Sequence, residues 1–172
     1  MTRLLLLDDE AHMLQALRRE LRLLMPDVQI ECFTNPYEAI NRVCVCEFDL
    51  VIADYRMPEM SGVAFLQALR DIAPDTVRMM LSASTEFDIA LSAINDAQVF
   101  RFIPKPWQPA ELEANIRLAL QLRARLLAER EPARAASDAA QQSAQELEAQ
   151  RLEREEPGIL RVKRTPDGSI IL

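Results

Sequence analysis

Five short strand-like runs, separated by stretches of helical periodicity, constrain this chain more than any other feature. The runs are Arg3–Asp8, Gln29–Thr34, Asp49–Asp54, Thr76–Ser82 and Arg101–Lys105. Between the first two, Glu10–Leu24 repeats Met13, Leu14, Leu17, Leu21 and Leu24 at three- and four-residue steps, the spacing of one helix face. Pro36–Val43 follows Asn35, a residue type that caps helix N-termini. Ser61–Asp71 carries Val63, Phe65, Leu66 and Leu69, and Thr85–Asn95 carries Phe87, Ile89, Leu91 and Ile94. Pro109–Arg130 repeats Leu112, Ile116, Leu120, Leu126 and Leu127. Strands that alternate with helices must be joined by crossovers, so the pattern predicts a doubly wound α/β domain with a five-stranded parallel sheet. Leu4–Leu7 and Leu50–Ala53 are continuously apolar, as strands covered on both faces are, and belong at the centre. Gln29–Phe33 alternates polar and apolar residues and belongs at an edge. The strand order 2-1-3-4-5 satisfies both and puts the switch point between strands one and three.

The carboxyl ends of these strands carry the chemistry. The first ends in Asp8-Asp9, the third in Asp54, the fourth in Ser82 and the fifth in Lys105. Parallel strands deliver those ends to one edge of the sheet, where open α/β folds bind ligands. Three carboxylates without a cation repel one another, so the set calls for a hard, oxygen-seeking divalent ion such as Mg²⁺. One carboxylate can then act as nucleophile while Lys105 and Ser82 hold an incoming anionic group. Each residue alone has a blander reading: an Asp at a strand end is commonly a cap or turn former, and Ser82 alone reads as a satisfied buried hydroxyl. The ordered combination carries the argument.

Taken in order, these residues resemble the receiver domain of two-component response regulators, a flavodoxin-like fold, over residues 3 to about 125. The resemblance implies that Asp54 is the phosphoacceptor, within the family's D-x-x-M-P pattern, here Asp54-Tyr55-Arg56-Met57-Pro58. It implies that Asp8, Asp9, Asp54 and the main-chain carbonyl of Arg56 hold Mg²⁺, and that Ser82 is the switch hydroxyl. Lys105-Pro106 matches the family's Lys-Pro, a bond usually cis there, whose lysine pairs with the phosphoryl group. Phe102 stands where many relatives carry a switch tyrosine. Arg56 and Ser84 flank the site and are expected to tune the lifetime of the acyl phosphate. The implied donor is a sensor histidine kinase or phosphotransfer protein, and the output is a change in self-association or in the grip on a downstream protein. The alternative is a phosphotransfer intermediate or phosphate sink without conformational output. The expected reading surface is Thr85–Asn95 with the fifth strand and the helix after it. Two features set the chain apart. Asn95–Phe100 is longer than the Gly-Ala turn of many receivers, and Phe100–Trp107 resembles a subset linked to enhancer-activating or cyclic-dinucleotide-hydrolysing outputs.

Other function classes fare poorly. A net charge of -7 argues against a nucleic-acid surface, and the residues after 125 hold no helix-turn-helix. No apolar run reaches the roughly 20 residues that span a bilayer, and Met1-Thr2-Arg3-Leu4 leads into acidic residues without a signal pattern, so a cytoplasmic protein is expected. With three glycines there is no phosphate-cradling loop. An Asp-nucleophile phosphatase would place an acid two residues after the nucleophile, where this chain has Arg56; the chain is therefore read as a non-enzyme. Cys32, Cys44 and Cys46 form no C-x-x-C pair and read as buried, reduced residues, while His12, the single histidine, reads as an incidental polar residue.

Three segments are expected: a receiver at 1–125, a helical extension at 126–156 and a tail at 157–172. The extension is rich in Ala, Gln, Glu and Arg, with Pro132 as an interruption. A dimeric coiled coil, a single solvated helix and a linker are the readings weighed, with a homodimer expected. In the tail, Thr165-Pro166-Asp167-Gly168 separates two apolar runs and predicts a β-hairpin.

Overall fold

The computed structural model describes residues 1–83 and 97–155. The strands are β1 (Arg3–Leu7), β2 (Gln29–Phe33), β3 (Leu50–Asp54), β4 (Val77–Ala83) and β5 (Arg101–Lys105); the helices are α1 (Ala11–Leu24), α2 (Pro36–Val45), α3 (Gly62–Ile72) and α4 (Pro109–Glu155). All strand pairs are parallel and the order is β2-β1-β3-β4-β5. The helix expected at Thr85–Asn95, Ser84, which was expected to tune the acyl-phosphate lifetime, and the hairpin expected at 157–172 lie outside the described residues. The chain divides into two compact units, Met1–Leu127 and Ala128–Leu172.

In the first unit, side-chain alternation along the strands sorts the core onto two faces. Leu4, Leu6, Leu50, Ile52, Met79, Leu81 and Ile103 face Leu14, Leu17 and Leu21 of α1 and Leu112, Ile116 and Ala119 of α4. Leu5, Leu7, Val51, Ala53 and Met80 face Ala39 and Val43 of α2 and Phe65, Leu66 and Leu69 of α3. Leu4 to Leu7 and Leu50 to Ala53 are fully buried, as central strands require. Each leucine removed from water contributes about 1.5–3 kcal/mol, so these strands are firmly fixed in the sheet. What sits at their ends inherits that rigidity.

Local chemistry sets the helix starts. Asn35 Oδ1 accepts from the N–H groups of Tyr37 and Glu38 at 2.9 and 3.2 Å, with Pro36 in the first turn. Ser61 Oγ accepts from Ala64 N–H at 3.2 Å. The connection before β5 is held by Arg78, a buried residue of β4 that donates to the carbonyls of Thr76 and Ala97 and to Gln98 Oε1 at 2.9, 3.1 and 3.3 Å. Gln98 adopts φ 49°, left-handed backbone that fits a chain reversal here. Burial, with the charge of Arg70 adding to it, pulls the Arg78 guanidinium below its ordinary range.

In the second unit the helix continues to Glu155 with Pro132 inside it. The interruption expected there does not divide the element. Proline removes one N–H and crowds the carbonyl four residues earlier, a local cost of about 3 kcal/mol, and strong helix formers flank it on both sides. No helix among the described residues is long and apolar enough to cross a membrane.

Candidate phosphoacceptor and metal site

The register of β1, β3, β4 and β5 brings Asp8, Asp54, Ser82 and Lys105 to one end of the sheet. Leu7 pairs with Ala53, Asp54 with Leu81, Ser82 with Pro104 and Ala83 with Lys105. Asp8 and Asp54 are buried, Asp9 is exposed, and ligand oxygens of all three lie within 4.8 Å of one another. Lys105 Nζ reaches 2.7 Å from Asp8 Oδ2 and 2.5 Å from Asp54 Oδ1. The remaining oxygens are also engaged. Glu10 N–H donates to Asp8 Oδ1 and Arg56 N–H to Asp54 Oδ2, both at 2.9 Å. These contacts orient both carboxylates before any ligand arrives.

Burial pushes the Asp54 carboxyl above its ordinary range; Lys105 opposes this, the charge of Asp8 adds to it, and the net direction is upward. Burial pulls the Lys105 ammonium down, but the hydrogen bonds and charges of Asp54 and Asp8 together outweigh it and hold the lysine charged. The electrostatics thus favour a fixed cation beside an Asp54 carboxyl that resists ionisation.

Ser82 is buried and donates to the carbonyl of Ala83 at 3.1 Å, so its hydroxyl is engaged with neither Asp54 nor Lys105. Phe102, on β5, is half-buried and packs against the core on the α2 and α3 face. Arg56 follows Asp54 by two residues, its backbone beside the acids through the N–H just described. A cavity of about 460 Å³ opens beside the acids, lined by Asp9, Tyr55, Arg56, Met57, Pro58 and Ser61. The Lys105–Pro106 peptide is cis.

Gly62 was invisible to the sequence reasoning. It begins α3, and its N–H donates to the Tyr55 carbonyl at 3.0 Å. A Cβ there would collide with the carbonyl oxygen of Asp54. Its position eight residues after Asp54, in a chain with three glycines, was the available signal.

His12 is exposed and lies 3.1 Å from Glu10, in keeping with an incidental role. The three cysteines are free, but the expected burial fails for Cys44, which is exposed while Cys32 and Cys46 are half-buried. Helix α2 turns Val43 into the core, so the next residue points outward.

The hard-oxygen donor set suits Mg²⁺: carboxylates only, close together, with one arm exposed to solvent. Comparison with known proteins places the chain in a family. A hydrogenase transcriptional regulatory protein, HoxA of Bradyrhizobium diazoefficiens, is 37% identical over 119 residues, covering 69% of this chain and 24% of that protein. A cyclic di-GMP phosphodiesterase response regulator, RpfG of Xanthomonas campestris, is 30% identical over 122 residues, covering 70% of this chain and 32% of that protein. The chain therefore spans a quarter to a third of these relatives. Among solved structures, the signal receiver domain of an HD domain-containing protein from Pseudomonas fluorescens superposes with a TM-score of 0.67 at 28% identity, covering 72% of this chain and 97% of that one. Residues 4–117 match the response regulator receiver domain, and with that match over most of the chain and the sheet order, the protein belongs to the response regulator receiver family.

Proposed function

We propose that Asp54 accepts a phosphoryl group from a phosphohistidine on a sensor histidine kinase or phosphotransfer protein, and that the resulting acyl phosphate switches self-association or the binding of a downstream partner. The observation that carries this is the contact of one ammonium with two buried carboxylates at the ends of two central strands. Asp8, Asp9, Asp54 and the Arg56 carbonyl would hold Mg²⁺, which when bound neutralises charge on the transferring group.

An oxygen of Asp54 attacks phosphorus, the new O–P bond forms as the P–N bond breaks, and the electron pair returns to the imidazole. Lys105 leaves Asp8 to pair with a phosphoryl oxygen. Ser82 exchanges the Ala83 carbonyl for another. The space that opens lets Phe102 repack, which carries the change by shape, because phenylalanine has no hydroxyl to offer. Arg56 and Ser84 tune how fast water reaches the acyl phosphate. The chain acts as a stoichiometric phosphoacceptor rather than a turnover enzyme, works in the cytoplasm without nucleic acid or membrane, and reads out through 85–95, β5 and α4. Residues 1–125 form the receiver, 126–156 a helical extension serving a homodimer as a coiled coil, and 157–172 a tail. A ligand drives such a switch only by binding one state better.

The test is light-scattering mass in Mg²⁺ with and without beryllofluoride, a phosphoryl mimic, with Asp54→Ala as control. Trp107, half-buried two residues beyond Lys105, reports occupancy by fluorescence. Mass that rises only with the mimic and only with Asp54 present establishes assembly as the output. Unchanged mass while Trp107 responds removes self-association and leaves partner binding or a phosphate sink.

A further inference from the structure

Asn35 does more than cap α2. Its Oδ1 accepts the N–H groups of Tyr37 and Glu38, and its Nδ2 donates to Glu59 Oε2 at 3.0 Å. The two N–H groups can bond only to the oxygen end of the amide, so the cap fixes which way the side chain faces and aims its nitrogen at Glu59. Glu59 lies in the loop, residues 55–61, that joins β3 to α3, carries Arg56 and walls the cavity beside the acids. Backbone hydrogen bonds tie the ends of this loop: Tyr55 N–H donates to the Leu81 carbonyl at 2.9 Å, and Gly62 N–H to the Tyr55 carbonyl at 3.0 Å. Met57 and Met60 pack against the core. Apolar contact has no direction, so it holds the loop down without fixing it along the surface. The bond from Asn35 to Glu59 is directional, and it links the middle of the loop to a helix end.

We infer that Asn35 is a positioning residue of the phosphoacceptor site, acting through Glu59 on the loop that presents the Arg56 carbonyl, given the reading of that carbonyl as a Mg²⁺ ligand. Between Glu59 and Arg56 stand Met57 and Pro58. Proline locks its own φ and confines the residue before it, so a shift at Glu59 passes to Arg56 with little slack. Mg²⁺ demands near-octahedral oxygen ligands at short distance, so a carbonyl displaced even slightly holds it less well. Asn35 thereby brings the junction of β2 and α2 to a site otherwise built on β1, β3, β4 and β5. Charge and position make opposite predictions for this contact. Asn35→Asp keeps the oxygen that caps α2 and sets a second carboxylate against Glu59. As an added negative charge near the site it tightens a bound cation; as a broken tie it frees the loop and weakens binding. Adding Glu59→Gln restores a hydrogen bond with donor and acceptor exchanged, at the net charge of the parent.

The experiment titrates the full chain with Mg²⁺ and follows the backbone amide signal of Arg56 by NMR. The parent, Asn35→Asp and Asn35→Asp/Glu59→Gln are compared, with Asp9→Asn as the control for the metal site and melting temperatures in a chelator measured alongside. The expected result is a Kd for Mg²⁺ roughly threefold to tenfold higher in Asn35→Asp, the range an ordinary hydrogen bond carries, and within about twofold of the parent in the double variant. The melting temperature of Asn35→Asp should stay near that of the parent, because aspartate caps a helix as well as asparagine does. Tighter or unchanged binding in Asn35→Asp overturns the role. Weaker binding that the double variant does not restore also overturns it, and assigns the loss to α2. A parent without a saturable Mg²⁺ response, or with one that Asp9→Asn leaves intact, overturns the metal reading and this role with it. A parent that binds through Asp9 while Asn35→Asp binds equally well overturns the role alone.

Discussion

Lys105 Nζ lies 2.5 Å from Asp54 Oδ1 and 2.7 Å from Asp8 Oδ2, so a single ammonium bridges the acids of two adjacent central strands. The bridge does not fully compensate Asp54. Burial is the largest influence on that carboxyl and raises it despite the lysine. The ionised acid is therefore a net cost to the metal-free fold, while Lys105 keeps Asp8 as a partner if Asp54 becomes neutral. Asp54→Asn should accordingly raise the stability of the metal-free protein by on the order of 1 kcal/mol, a few degrees in Tm. Thermal melts at neutral pH in a chelator measure it; a lowered Tm would mean that the Lys105 contact outweighs burial.

Gly62 is argued from space rather than charge. A methyl group at this position meets the Asp54 carbonyl oxygen, which belongs to a fully paired strand and cannot yield as a flexible side chain would. Gly62→Ala should destabilise the fold by about 1–3 kcal/mol and, by displacing the Asp54 backbone, weaken the proposed Mg²⁺ binding as well. Denaturant midpoints and a Mg²⁺ titration followed by Trp107 fluorescence separate the two effects. An unchanged midpoint would show that α3 can start elsewhere.

Much of this arrangement was readable in advance, for identifiable reasons. The strand order follows from Leu4–Leu7 and Leu50–Ala53 being apolar without interruption while Gln29–Phe33 alternates, because burial on two faces and on one leave different patterns. The meeting of Asp8, Asp54 and Lys105 follows from parallel strands sharing one carboxyl edge. What escaped depends on contacts between residues far apart in sequence. The proximity of Gly62 to the Asp54 carbonyl, the grip of Arg78 on Ala97 and the pairing of Arg123 with Asp49 have no local signature. Pro132 misled in the opposite sense, since the interruption it predicts is local and the helix runs through it.

The pairing of Arg123 with Asp49 fixes α4 at the end of the sheet away from the acids. Arg123 Nε lies 2.7 Å from Asp49 Oδ1 and its Nη1 donates to the Asp75 carbonyl at 2.8 Å, while Asp49 Oδ2 accepts the N–H of Arg3 at 2.7 Å. Two elements, α4 and β1, converge on one carboxylate. Arg123 is 8% exposed, so little water is at hand to replace a lost partner. Arg123→Met should cost about 2–4 kcal/mol. Urea denaturation reads the loss, and a change below about half a kcal/mol would reduce the pair to a surface contact.

The pair Glu31–Arg42 makes a pH-dependent contribution whose sign can be worked out. Arg42 Nε and Nη2 donate to the two oxygens of Glu31 at 2.7 and 2.9 Å. The Arg42 hydrogen bond lowers the Glu31 carboxyl, and although burial opposes it, the net direction is downward. A carboxylate depressed in the folded state stabilises fully above its unfolded value, near 4.3, and loses that contribution as pH falls through the folded value. The Arg42 side chain is 40% exposed, so solvent screening keeps the contribution small. Glu31→Gln should thus lower Tm slightly at pH 7, and the gap from the parent should close below about pH 4. Melts of both proteins across pH 3–7 test this. A gap that stays constant through the acid range would assign the effect to packing of the Arg42 stem on β2 rather than to charge, because packing does not titrate with Glu31.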